Sequence, residues 1–406
     1  VLLHLMAAIP GYRHAGLRAL HVHHGLHADA DAWAAHCQCT CDALQVPLRI
    51  VQVQVARDSG LGLEAAAREA RHTAFAGALA AGEWLALAQH RDDQAETFLL
   101  RALRASGPDG LAAMRGQRPF AHGTLWRPLL SRARAELLAY AHAHGLQWIE
   151  DPSNADARHD RNFLRHHVLP LLSQRWPQAS AALARSAHLS AEAAEVLLHD
   201  ELALLPSLCA ADGALDLRLL RAQPVARQPR LLRAWVGATG APALPAHGVA
   251  ALEREIDLHA PDREACFAWQ QVEVRRWRQS LYLHRPAPAW PPQWTAQWDG
   301  VHPLQLPDGA QLQLHGSPGL GFVRPMQVRA RQGGERIVLP RRGHSHRLKH
   351  LLQDLDLPPW KRDRLPVLWA DRQVMAAGDR IVSASLHDWL QTHRASLRWR
   401  ASDQAN

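Results

Sequence analysis

Three carboxylates stand within five residues in the stretch QHRDDQAET, where Asp92, Asp93 and Glu96 follow the apolar run WLALA. On a helix, Asp92 and Glu96 are four apart and Asp93 and Glu96 three apart, so the acids meet on neighbouring faces. Such a cluster becomes favourable when it meets a cation, either Mg²⁺ or an ammonium group. Asp92 and Asp93 also suit a helix start, where they cap free amides and complement the dipole. Glu96, one turn further in, is less well explained that way.

A second set lies in EDPSNADARHDRNFLRHHVLPLL. Asp151-Pro152-Ser153-Asn154 is turn chemistry, and the spacing predicts a helix from Arg161 to Leu172. Arg161 and Arg165 stand four apart on it, flanked by Asn162 and His166. An apolar stripe through Phe163, Leu164, Val168 and Leu171 would dock the helix and aim both guanidiniums one way, as a clamp for phosphate or a nucleotide. A third set, HVHHGLH, puts His21 and His23 on one strand face, where packing is the commoner use and a metal site the alternative.

The fourth set is basic. Between Arg324 and Arg364 there are eleven Arg or Lys residues and four acids, a net +7 within a chain of net charge +8. A Gly-Gly turn, a strand, a basic helix and a Pro-Pro-Trp turn would form a module with one positive face. Arg341, Arg342, Arg347, Lys349, Arg362 and Arg364 would track a phosphate backbone there, with Trp360 available for stacking.

The elements that must hold these residues are legible from periodicity. Leu17–His23, Pro47–Val55 and Trp84–Ala88 read as strands; Asp29–Leu44, Leu63–Ala80 and Asp92–Arg104 read as helices. The opening VLLHLMAAI reads as a buried helix. Strand and helix in alternation predict an α/β fold, a parallel sheet wrapped by helices, with ligands at the C-terminal ends of the strands. Both HVHHGLH and QHRDDQAET fall at such ends. A mainly helical domain is expected over 177–285, a Pro-rich linker over 286–296, and a small α+β domain over 297–400.

Composition narrows the class. A chain of 406 residues, 47% apolar, is expected to form two or three domains. Only Lys349 and Lys361 are lysines among its 46 basic residues, so phosphate contacts fall mostly to arginine. Five cysteines without a CxxC pair fit a reduced, cytoplasmic protein. The thiols of CQCTC, on a helix, diverge by about 200° from one to the next and do not form a metal set. No apolar run approaches ~18 residues, which predicts no membrane span.

Taken in order, QHRDDQAETFLLRALRASGPDGLAAM, RPLLSRARAEL, EDPSNADARHDRNFLRHHVLPLL and QGGERIVLP...LKHLLQDLDLPPWKRDRLPVL resemble the bacterial tRNA(Ile)-lysidine synthase family of N-type ATP pyrophosphatases. The resemblance implies an adenine-nucleotide α-hydrolase-like domain over 1–176 and tRNA-binding domains behind it. It implies ATP and Mg²⁺ as cofactors, with free L-lysine and a tRNA(Ile) with a CAU anticodon as partners; a homodimer is compatible with it. In such a reaction ATP adenylates the C2 oxygen of the wobble cytidine, and the ε-amine of lysine then displaces AMP. Asp93, Glu96, Arg161 and Arg165 carry over as active-site residues. Asp93 and Glu96 would hold the lysine ammonium or Mg²⁺, with Asp93 the metal ligand; Arg161 and Arg165 would hold phosphate or the target nucleotide. His24 would lie near the adenosine.

The family's phosphate loop, SGGxDS, precedes the segment matched by VLLHL. The resemblance therefore implies a chain given without its first strand and that loop, and inactive in that form. Two other readings remain: a tRNA-binding protein without catalysis, and a tRNA sulfur-inserting enzyme, which the missing CxxC disfavours.

Overall fold

Alternating helices and strands build the first half of the chain. In the computed structural model they are α1 (Leu2–Ala8), α2 (Pro10–His14), β1 (Ala19–His23), α3 (Ala30–Ala43), β2 (Leu48–Gln52), α4 (Leu63–Ala78), β3 (Trp84–Ala86) and α5 (Arg91–Leu103). Then come α6 (Pro108–Leu111), β4 (Gln117–Phe120), β5 (Gly123–Trp126), α7 (Arg134–Ala143), α8 (Asp160–Phe163), α9 (Leu169–Arg175) and the long α10 (Ala179–Leu208). The structure describes all residues except 57–61, 258–265, 287–289, 292, 356 and 401–406. Part of the Pro-rich linker thus lies outside the described residues. The chain divides into two units, Val1–His199 and Asp200–Asn406.

In the first unit, β1 pairs in parallel with β2 and β3 in parallel with β5, while β4 runs antiparallel to β5. The expected parallel α/β architecture is present, with its strands shared between two small sheets. An apolar cleft of about 1040 Å³ is lined by Leu20 of β1 and by Leu85 and Ala86 of β3, together with Leu3, Phe75 and Leu79.

The approach of β5 to the start of β3 depends on one glycine. A Cβ at Gly123 would stand 2.1 Å from the Glu83 carbonyl oxygen, which accepts the Thr124 amide at 2.9 Å. Gly123→Ala is therefore expected to push the strands apart and lower stability by roughly 2 kcal/mol. Thermal denaturation checks this, and an unchanged melting temperature would contradict it.

The expected helix from Arg161 to Leu172 is interrupted. Residues 164–168 form a wide π turn between α8 and α9, just before Pro170, which has no amide to donate. The extra width rotates α9 relative to α8, so the straight-helix stripe needs correction: Leu164 and Leu169 are buried, whereas Phe163 and Leu171 are exposed.

In the second unit, β6 (Leu215–Asp216), α11 (Leu217–Arg221), α12 (Gln228–Ala238), α13 (Ala246–Asp257), β7 (Cys266–Trp269), β8 (Val272–Trp277) and β9 (Ser280–His284) come first. Their antiparallel sheet, in the order β6-β9-β8-β7, closes over a core that includes Leu215, Leu231, Leu232, Trp235 and Val274. Next are β10 (Thr295–Trp298), β11 (Leu304–Gln305), β12 (Gln311–His315), β13 (Met326–Arg329), β14 (Arg336–Val338) and β15 (Ser345–Arg347). The chain then forms α14 (Leu348–Asp354), α15 (Pro359–Arg362), β16 (Val367–Ala370), β17 (Gln373–Ala377), β18 (Ile381–Val382), α16 (Ala384–Thr392) and β19 (Ser396–Arg400). Here a five-stranded sheet, β10-β13-β16-β17-β18, is accompanied by β11-β12-β19 and the β14-β15 hairpin.

Candidate active site

The site forms where β3 gives way to α5. At the start of that helix the acids divide the capping work differently from the simple expectation. Asp93 Oδ2 accepts the amide of His90, the residue before its own helix, at 3.0 Å. Asp92 Oδ2 instead accepts the amide of Arg134 at 2.8 Å, so it satisfies the first turn of α7 rather than of α5. Gln94 holds α5 from its other side, donating to the Met114 carbonyl at 3.0 Å and accepting the Met114 amide at 2.9 Å.

Glu96 is fully buried and Asp93 is 9% exposed. The cations that meet them are the two arginines of α8 and the π turn. Arg161 donates from Nε to Glu96 Oε2 at 2.7 Å and from Nη2 to Asp93 Oδ1 at 3.0 Å. Arg165 donates from Nε to Glu96 Oε1 at 2.6 Å, and from Nη2 to Glu96 Oε2 at 3.0 Å and Asp93 Oδ1 at 3.1 Å. Burial opposes the charge on Arg165, but its hydrogen bond to Glu96 and the neighbouring carboxylates raise its pKa above the usual value. These bonds are charge-assisted and partly shielded from water.

The helix that carries the arginines is pinned by groups that periodicity did not single out. Asn162, buried between them in sequence, donates to the carbonyls of Ser153 at 2.9 Å and Asp156 at 3.0 Å. His166 Nε2 lies 2.9 Å from the Asn154 carbonyl. Asp151 Oδ1 accepts the Ser153 amide at 2.8 Å, closing the turn expected from the DPSN sequence. The only advance signal for Asn162 and Gln94 is their place between charged residues.

His24 meets Arg71, whose Nε donates to His24 Nε2 at 3.2 Å, and its buried Nδ1 has no hydrogen-bond partner among the described residues. Burial first, then the Arg71 charge, lowers the pKa of His24, so the ring is held neutral. His21 and His23 turn to different neighbours, Cys37 Sγ at 3.5 Å and Asp31 Oδ1 at 2.9 Å. Among the described residues no group of three or more His, Cys, Asp or Glu gathers as a metal site. Both oxygens of Asp93 already hold hydrogen bonds.

In the basic C-terminal segment the expected residues separate into two groups. Arg341 and Arg342 sit in the loop of the β14-β15 hairpin, and with Arg347 and Lys349 they are exposed. The Gly333-Gly334 turn before them is built on Glu335, whose Oε1 accepts the amides of Gln332 at 2.6 Å and Gly333 at 2.8 Å. Trp360 is not available for stacking. It is 9% exposed and packs edge-on against Tyr282 and His284, with the Arg275 guanidinium 5.4 Å from its ring. Arg362 donates to the Leu357 carbonyl and lies 5.1 Å from the Trp277 ring, and Arg364 is half-buried. The reason for the correction is apolar burial: the Pro-Pro-Trp turn supplies a large ring that covers β9 at that point.

A parallel α/β unit with charged side chains converging beyond a strand's C-terminal end defines a nucleotide-handling domain, and residues 1–172 match the PP-loop domain family. Residues 215–282 match the TilS substrate binding domain, and residues 326–399 match the TilS substrate C-terminal domain. The tRNA(Ile)-lysidine synthase of Xanthomonas axonopodis pv. citri is 76% identical over 406 residues, covering 100% of this chain and 92% of that protein. That of Xylella fastidiosa 9a5c is 57% identical, covering 99% and 92%, and that of Methylococcus capsulatus is 43% identical, covering 93% and 88%. The chain belongs to the tRNA(Ile)-lysidine synthase family. No described helix is long and apolar enough to cross a membrane.

Proposed function

We propose that this protein uses ATP to attach free lysine to C2 of the wobble cytidine in a CAU-anticodon tRNA(Ile), forming lysidine. The observation that carries the reading is the convergence of Asp93, Glu96, Arg161 and Arg165 into one partly buried cluster within a PP-loop domain, in a chain 76% identical to a tRNA(Ile)-lysidine synthase. In the first step the cytidine O2 attacks the α-phosphorus of ATP and pyrophosphate leaves. In the second the lysine ε-nitrogen attacks C2, and AMP leaves with that oxygen.

The arginines fit phosphate, because their forked donors match its oxygens bidentately and offset charge as it develops. The acids fit the lysine side chain, a compact ammonium needing carboxylate partners. Magnesium in this reading accompanies the ATP phosphates. Asp93 is its proposed protein ligand, in exchange for hydrogen bonds that its oxygens now hold. His24, neutral and beside Arg71, is assigned to the nucleotide side. The segments 1–176, 177–285 and 297–400 act as catalytic, middle and C-terminal tRNA-binding domains.

Incubation of the full-length protein with ATP, radiolabelled lysine and a CAU-anticodon transcript tests the function; absence of ATP-dependent incorporation would sink it. Exposure of the hairpin arginines supports an RNA-facing role for Arg341, Arg342, Arg347 and Lys349. Replacing Arg341 and Arg342 together by alanine is expected to reduce the salt dependence of tRNA affinity, by roughly 1.5 in the log–log slope, without changing the melting temperature. Filter binding across a salt series reads the slope directly.

A further inference from the structure

The acid pair and the arginine pair suit different ligands, yet in this structure each neutralises the other. Every oxygen of Asp93 and Glu96 holds at least one hydrogen bond, from Arg161, Arg165 or the His90 amide. Two carboxylates share two guanidiniums, with the Asp92 carboxylate also acting on Arg165. An arriving ammonium would therefore have to compete for buried oxygens that the guanidiniums already hold. The arginines are not equally committed: Arg161 makes one bond each from Nε and Nη2, whereas Arg165 makes one from Nε and two from Nη2, so Arg165 cannot turn a two-donor fork to a phosphate without releasing an acid.

The two arginines are not equivalent. Arg165 lines a cavity of about 430 Å³ and Arg161 does not. Arg134, His90 and His166 share its wall, with Glu150 and Asp151. Arg165 also sits inside the π turn, whereas Arg161 lies in α8. A ligand in the cavity therefore reaches Arg165 first.

Building on the function proposed for this chain, we propose that Arg165 is an exchangeable counter-ion of Glu96. A phosphate-bearing ligand draws the guanidinium away, and the lysine ammonium takes the carboxylate it vacates. Removal alone would leave Glu96 buried and short of a cation, so departure of the arginine and arrival of the amine are coupled. Lysine then binds well only after nucleotide, and the amine is excluded until the phosphate donor is in place. By linkage, lysine strengthens nucleotide binding by the same factor.

Calorimetric titration of the full-length protein with L-lysine, with and without the uncleavable α,β-methylene analogue of ATP, tests the exchange. The unmodified protein is expected to bind lysine about tenfold or more tightly with the analogue present. In Arg165→Gln the two affinities are expected to converge, because no guanidinium has to leave. Equal lysine affinity with and without analogue in the unmodified protein overturns the proposal, as does an undiminished ratio in R165Q. If R165Q does not fold, Arg165→Lys, which keeps the charge but loses the fork, must show a reduced ratio, and an unchanged one overturns it. Lysidine formation together with nucleotide-independent lysine binding would overturn the exchange alone. No lysine transfer at all would overturn both the exchange and the function on which it rests.

Discussion

Glu96→Gln is expected to abolish lysine transfer and to destabilise the first unit by about 3 kcal/mol. Glu96 accepts three of the five hydrogen bonds that Arg161 and Arg165 make to the acid pair, and it has no exposure. The amide keeps the shape but removes the charge, leaving two guanidiniums to share Asp93. Breaking a buried pair on one side typically costs ~3–5 kcal/mol; partial exposure of the arginine side chains, 35% and 21%, puts this case at the lower end. For a unit of this size that is a fall of roughly 6–12 °C in melting temperature. Arg165→Gln in the same background is expected to recover part of the loss, since it removes the excess charge, and a double-mutant cycle measures that coupling. An E96Q protein that melts like the unmodified one would show that the cluster is not a buried ion network.

Trp360→Ala is expected to act on stability first and on RNA affinity only as a consequence. The ring joins α15 to β8 and β9 through Tyr282, His284 and Arg275. Its neighbours extend the same contact: Lys361 Nζ lies 5.3 Å from the Tyr282 ring and 3.5 Å from Asp212 Oδ2, and Arg362 lies over Trp277. Truncating a buried Trp costs ~3–5 kcal/mol, and here the loss falls on the contact between the segments of residues 215–282 and 326–399. Differential scanning calorimetry should then resolve two transitions within the second unit where the unmodified protein shows one. Trp360→Phe, which refills most of the space, should cost far less. If W360A instead weakens tRNA binding with its thermal profile intact, the ring is a stacking platform after all.

Much of the first unit was legible in the sequence. Strand and helix periods placed β1, α3, β2, α4, β3 and α5 within a few residues of their observed bounds, because apolar alternation is a local property that the chain must satisfy wherever it packs. The residue types of the site were also local: paired acids at a strand's end, paired arginines on one helix. The turn at Asp151 formed as its sequence suggests. The positive charge of Arg341, Arg342, Arg347 and Lys349 was readable too, whereas the hairpin that carries Arg341 and Arg342 was not, since a strand and a basic helix were expected there.

What the sequence did not contain was which charges would meet. Asp93 and Glu96 find Arg161 and Arg165 across 65 to 72 positions of chain, while Asp92, their neighbour, turns to α7. Trp360, with all the marks of a nucleic-acid platform, is covered because Tyr282 and His284 arrive from a distant hairpin. A π turn, invisible to a 3.6-residue period, decided which face of the arginine helix is buried. Composition and spacing thus determined the local elements and the chemical repertoire. Tertiary packing alone decided which groups lose water together, and in a low-dielectric interior that sets which cation each buried acid keeps.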